Sequence, residues 1–303
     1  MQTAAPLELR MIRDSGQIIT STFAFLRLHW RPLGRAILAA GLPLALAAGF
    51  LSGDALLKLQ QLRYGAYAGT GDAMAMGADG PGGLAHGLLI LLIVGLMAVF
   101  AWMMVVSVVH EYIRAVHLGE HETMGTGELL RRGLRQIGPY FGASFLSGLL
   151  ILMGLVLCIL PALYPATVLS LALAAHAIER TGGAGALGRS NRLVAGDFFP
   201  TLGLVIIAFL IKMLLDQALV LPFTIAGLVI GVDAGVEAVR EGGGVEFPAW
   251  MGLFNGISMA WQWCVSIATY PITAVAFALK YFSRVEETEG VGLKERIAAF
   301  DQT

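Results

Sequence analysis

Long apolar runs separated by short basic clusters organise this chain. Six runs reach or approach the ~18–25 residues needed to cross about 30 Å of hydrocarbon. They lie near Leu33–Gly53, Leu84–Val109, Tyr140–Leu160, Tyr164–Ile178, Phe199–Leu221 and Met251–Leu279. The fourth is the shortest. Pro161 and Pro165 leave only a tight turn before it, so the third and fourth spans are expected to form a close hairpin.

Upstream of the first, third and fifth runs, the apolar period changes to that of an amphipathic helix. Ile12, Ile19, Phe23, Leu26 and Trp30 form a stripe beside Arg13, Arg27 and Arg31. Leu130, Leu134 and Ile137 alternate with Arg131, Arg132 and Arg135, and Leu187 and Val194 flank Arg189, Ser190 and Arg192. Downstream of the second, fourth and sixth runs a His or Lys is followed four residues later by Arg: His110–Arg114, His176–Arg180 and Lys280–Arg284. Such pairs share one helix face and are expected to reach headgroups while their stems stay in hydrocarbon. The predicted fold is therefore all-α and polytopic: six transmembrane helices in three parallel-repeat hairpins, each preceded by a basic amphipathic interfacial helix. The repeat units cover residues 8–117, 126–180 and 184–284 of one transmembrane domain, with a tail at 285–303 on the same side as the basic clusters.

Charge sets the expected orientation. Of 20 Lys and Arg residues, 16 fall before or at the start of the first span, between the second and third, between the fourth and fifth, or after the sixth. Only Lys58, Arg63 and Arg240 fall in the opposite loops, and Lys212 lies within a span. The positive-inside rule then places both termini in the cytoplasm. The loop at 54–83 is Gly/Ala/Met-rich and near neutral; the loop at 231–249 is acidic and is expected to hold a short helix ending at Gly242–Gly244.

Composition agrees with a bilayer as solvent. The chain is 57% hydrophobic and 14% charged, with mean hydropathy +0.74, against about a quarter charged in soluble domains. Its net charge of -1 excludes a general attraction to nucleic acid. Cys158 and Cys264 lie in apolar runs and read as small buried hydrophobes, not a disulfide. The first 30 residues lack the apolar core and cleavage site of a signal peptide.

Polar residues inside the spans are the first candidates for chemistry. Lys212 and Asp216 sit four apart in the fifth span with Gln217 beside them, and Asn255 and Gln262 lie in the sixth. They read as a neutralised pair pinning two helices together, or alternatively as a proton, ion or polar-substrate path. His110, His117 and His121, with Glu111, Glu120 and Glu122, recur on one helical face, a pattern that can hold zinc. The motif is H-E-x-x-R, however, and Gly119 is expected to end the helix before His121, so headgroup contact is the expected role and no metal is assigned. No nucleophile stands out among Ser144, Ser170 and Ser258, and GAGALG (183–188) has no P-loop Lys. No cofactor is implied. The glycines, Gly142, Gly148 and Gly154 among them, read as close-packing points.

Two stretches carry a resemblance. IERTGGAGALGRSNRLVAGDFFPTLG (178–203), through Glu179, Gly182, Arg189, Ser190, Leu193, Val194, Gly196 and Phe198, resembles the YciC-like bacterial inner-membrane proteins and the membrane domain that precedes some glycerophosphodiester phosphodiesterases. PITAVAFALKYFSRVEETEG (271–290) is similar to that family's closing motif through Pro271, Tyr281, Arg284 and Glu289–Gly290, with Phe282 and Glu286 departing from it. The resemblance implies a six-span bacterial inner-membrane architecture. It does not bring the phosphodiesterase activity, which belongs to a separate soluble domain. The expectation for function is a non-enzymatic scaffold, assembly or membrane-organising subunit. It would bind anionic lipid, a protein partner or a second copy through Arg131, Arg132, Arg135, Arg189 and Arg192. The alternative is a small transporter or channel using Lys212 and Asp216.

Overall fold

A computed structural model describes residues 8–67, 81–241, 250–290 and 294. The elements are α1 (Ser15–Tyr67), α2 (Pro81–His117), α3 (Thr126–Leu157), α4 (Ile159–Val168), α5 (Ala172–Glu179), α6 (Gly182–Ala195), α7 (Phe198–Glu241) and α8 (Trp250–Glu289). No strand occurs among the described residues. Six segments are long and apolar enough to cross a membrane: Ser15–Gly53, Leu89–His117, Thr126–Leu157, Pro161–Glu179, Phe198–Asp233 and Trp250–Glu289. Their surface suits hydrocarbon. Phe145, Met153, Val156, Phe209, Leu214 and Leu228 are all exposed, a density of bare apolar side chains that a soluble fold avoids. The chain is an all-α, multi-pass membrane protein.

Several helices run further than the sequence pattern suggests. The basic flanks before the first and third spans are the opening turns of α1 and α3, continuous with the spans although Pro32 and the Gly138–Pro139 pair lie at the joins. Only before the fifth span is the flank a separate element, α6, cut off by the turn at Gly196–Asp197. The acidic stretch 231–241 likewise continues α7 and forms no helix of its own. Residues 68–80, 242–249 and most of the tail after Gly290 lie outside the described residues.

Helix ends follow local chemistry. Gly119 adopts φ 75°, its N–H meets the carbonyl of Val116, and that of Glu120 meets Ala115, a Schellman stop that ends α2 ahead of His121. Between the third and fourth spans the chain turns at Cys158, extended and exposed in this connection, not buried as its apolar neighbours suggest. Pro161 then sits in the first turn of α4, where its missing N–H would have had no partner. The fourth span is not one helix: Leu169–Leu171 break it into α4 and α5.

Two compact units emerge, and α1, α2, α7 and α8 contribute to both. The first comprises residues 1–37, 103–213 and 269–303. Here α1 buries Ile18, Thr22, Phe25, His29, Leu33 and Ala36, a spacing of four and three that defines one face. The stripe predicted from sequence lies elsewhere: Ile12, Phe23 and Trp30 are exposed, as lipid-facing apolar residues should be. Gly133 lets α2 and α3 approach; a Cβ there would lie 2.8 Å from Val108 Cγ2, and Ser107 donates a hydrogen bond to its carbonyl at 3.1 Å. Of the three glycines expected to pack in α3, only Gly154 does so, with its Cβ position 2.8 Å from Ala162 Cα; Gly142 and Gly148 face open space.

The second unit comprises residues 38–102 and 214–268. Here Gly49 and Gly53 on α1 meet Gly252, Gly256 and Ala260 on α8. A Cβ on Gly49 would stand 2.5 Å from Ala260 Cα, so the two backbones touch through small-xxx-small steps on both helices. Phe223 on α7 packs against Phe254 and Trp261, and the Trp261 indole donates to the Leu219 carbonyl at 2.9 Å, beside Pro222.

Candidate functional site

The first unit encloses an ionic core that the sequence places in headgroups. Glu111 follows His110 on α2, and its side chain is 1% exposed. Burying a carboxylate this deep is costly unless charge and hydrogen-bond partners meet it. Arg180 supplies them: its two terminal nitrogens donate to the two Glu111 oxygens at 2.7 and 2.6 Å. Arg180 caps α5 in the left-handed conformation, φ 55°, which turns the chain towards Gly182 at φ 73°. Burial acts to lower the Arg180 pKa, but the hydrogen bonds and charge of Glu111 hold it above its ordinary value. Tyr140, fully buried on α3, donates its hydroxyl to Glu111 at 3.2 Å.

The Tyr140 ring stands between the two histidines of the repeated pattern. His110 lies 5.5 Å from it and His176 4.8 Å, the latter edge-on. His110 donates from Nδ1 to the Val106 carbonyl at 2.8 Å, whereas both His176 nitrogens are buried with no hydrogen-bond partner among the described residues. His110, His176, Lys280 and Arg284 are each at most 5% exposed. The expected headgroup role is thus overturned for these four, because internal carboxylates and an aromatic ring provide closer partners than lipid.

Asp197 serves the third pair. It precedes α7 as N-cap, its backbone carbonyl accepting from the Thr201 N–H and its side chain accepting from the Thr201 hydroxyl at 3.0 Å. Lys280 Nζ lies 2.5 Å from Asp197, and Arg284 reaches the same carboxylate at 3.9 Å, the Leu193 carbonyl at 3.0 Å, and Glu287. Arg189 on α6 bridges Glu179 at 2.6 Å and Glu289 at 2.5 Å, and Tyr281 donates to Glu179 at 2.6 Å. The hydrogen bond that Arg189 donates to Glu289, followed by the one it donates to Glu179, holds it above its ordinary pKa against the opposing effect of burial.

Ser190, next to Arg189, fills the break in the fourth span. Its hydroxyl donates to the Val168 carbonyl at 2.6 Å and accepts the Leu171 N–H at 3.2 Å. An interrupted membrane helix leaves such backbone groups without partners unless a neighbouring side chain meets them. The packing of Ala186 and Leu187 of α6 against Ala172 and Leu169 holds the serine there.

The remaining basic residues separate into two sets. Arg132 pairs with Glu120 at 2.6 Å and Glu128 at 3.1 Å, and its hydrogen bond holds Glu120 below the usual carboxylate range. Arg131, Arg135 and Arg192 are exposed, and none forms an ion pair with a described residue. Arg114 is half-buried. The three histidines considered for a metal go to different places: His110 to Tyr140, His117 to Phe282 and Arg10, His121 to His29. Among the described residues no group of three ligand-type side chains converges.

Lys212 and Asp216 lie one turn apart on α7, both half-buried; Asn255 is half-buried, and Gln217 and Gln262 are exposed. Sequence reasoning passed over Asp197 and Tyr140 and treated Glu111 only as a metal neighbour. Asp197 was findable as an N-cap ahead of the Phe-Phe-Pro helix start, but nothing local marks Tyr140 as a charge partner. Family models, curated proteins and solved structures yield no match to this chain.

Proposed function

We propose that the protein is a non-enzymatic, membrane-organising component that gathers anionic lipid at its basic face. One observation carries this reading: the arginines divide into a set paired within the chain and an exposed set that forms no ion pair with a described residue. Arg132, Arg180, Arg189 and Arg284 have acidic partners within the chain, whereas Arg131, Arg135 and Arg192 present their charge to the surroundings. The internal set keeps the basic ends of the spans together, so the outward set stands on a stiff platform. An anionic headgroup is the abundant partner for exposed guanidinium groups beside exposed aromatic residues at a membrane surface. The orientation read from charge would put this face in the cytoplasm, and the YciC-like resemblance would make the membrane a bacterial inner membrane.

Thermal unfolding in mild detergent tests the reading. Added phosphatidylglycerol is expected to raise the midpoint by mass action, and phosphatidylcholine to leave it unchanged. Glu substitutions at Arg131, Arg135 and Arg192 should reduce the difference. Equal effects of the two lipids would exclude selective binding.

A further inference from the structure

We infer that the opening of α1 is the principal phospholipid-phosphate site of this protein, built by Arg27, Arg31 and Arg35 with Trp30, Leu28 and Phe23. The inference rests on the lipid-binding reading above and assigns it a place that reading did not include. The three arginines are spaced four residues apart and project from one face, opposite the buried stripe of Ile18, Phe25, His29 and Leu33. All three are exposed, and none forms an ion pair with a described residue. No Asp or Glu occurs between Asp14 and Asp54, so nothing along this helix offsets the charge. Like charges one turn apart repel, and an anion laid along the row removes that repulsion.

The apolar neighbours narrow the ligand to a lipid. Phe23, Leu28 and Trp30 are exposed on or beside the arginine row, and the Arg31 guanidinium stands 5.3 Å from the centre of the Trp30 ring. The row rises about 12 Å along the axis and leads into the apolar stretch that follows Arg35. A phosphate diester with acyl chains fits both parts: guanidinium forks take the phosphate oxygens and the chains follow the apolar face. By contrast, Arg131 and Arg135 flank Arg132, which already draws Glu120 and Glu128 to that part of α3, and Arg192 lies one turn from Arg189 on α6, within reach of the Glu289 charge. The field of α1 is the least offset of the three.

Native mass spectrometry of the full chain, counting retained phosphatidylglycerol, tests this directly. Two variants are compared with wild type: Arg27→Gln/Arg31→Gln/Arg35→Gln and Arg131→Gln/Arg135→Gln/Arg192→Gln. All six side chains are on the surface, and circular dichroism with gel filtration checks that both variants fold. The α1 variant should lose the tightest-bound lipid, with an affinity at least about tenfold weaker, while the α3/α6 variant keeps it. Loss in the α3/α6 variant alone, or equal loss in both, overturns the α1 assignment and leaves the lipid-binding reading intact. Retention in both overturns the two together. Soluble glycerol phosphate should not compete; effective competition would show that free phosphate, not lipid, is the ligand.

Discussion

Arg180, at the close of the fourth span, grips both oxygens of Glu111, at the close of the second, at 2.7 and 2.6 Å. The Glu111 side chain is nearly sealed from solvent, so removing the arginine leaves it, among the described residues, with the Tyr140 hydroxyl alone. Arg180→Ala is expected to cost about 3–5 kcal/mol, and Arg180→Lys less, because the ammonium keeps the charge but not the fork. Adding Glu111→Gln to Arg180→Ala should restore much of the loss. Chemical unfolding in detergent micelles measures this cycle; an Arg180→Ala protein as stable as wild type would show that the pair does not secure the core.

Ser190→Ala removes the side chain from α6 that reaches into the break between α4 and α5. The Val168 carbonyl and the Leu171 N–H would both lose their partner, at a cost of about 1–3 kcal/mol. Hydrogen exchange at Leu171 should accelerate before the rest of the span. No change in that exchange would mean the break is satisfied in another way.

Glycines on α1 and α3 should respond in opposite ways. Gly49→Leu must separate α1 from α8, since even a Cβ would meet Ala260. Gly148→Leu projects into open space. Thermal midpoints should fall sharply for the first and hold or rise slightly for the second, where the helix also gains in backbone propensity. Equal losses would contradict the packing described.

His176 has two buried nitrogens with no partner among the described residues, next to Tyr140. A leucine of similar bulk has no such groups to desolvate, so His176→Leu is expected to be neutral or stabilising by about 1 kcal/mol. A fall of more than about 2 kcal/mol in unfolding free energy would indicate that the imidazole makes a stabilising hydrogen bond after all.

The transporter alternative makes a separate demand on α7. In sealed proteoliposomes, wild type and Asp216→Asn should show the same background proton leak. A leak well above background that Asp216→Asn abolishes in a folded protein would favour a transport path instead.

Much of the architecture was legible because hydrocarbon imposes length and composition on a span. Leu33–Gly53 lies within α1, Tyr140–Leu160 overshoots the end of α3 by three residues, and Gly119 ends α2 as its freedom of φ suggested. The direction of the basic ends was not legible. Lys280 and Arg284 look like any interfacial cations until Asp197, more than eighty residues earlier in sequence, is seen beside them. The two stretches that carry the family resemblance turn out to bind one another, through Arg189–Glu289, Tyr281–Glu179 and Arg284 to the Leu193 carbonyl. The buried stripe of α1, Ile18, Thr22, Phe25, His29 and Leu33, was not legible for a related reason: apolar periodicity cannot distinguish a lipid-facing surface from a core.

The most direct test is the selectivity of the protein boundary for spin-labelled phosphatidylglycerol over phosphatidylcholine, measured by electron paramagnetic resonance at low and high salt. With each outward arginine worth about 1 kcal/mol near an anionic headgroup, the ratio should be at least about fivefold at low salt and fall towards one as salt screens the charges. A ratio of one at both salt concentrations would contradict the account.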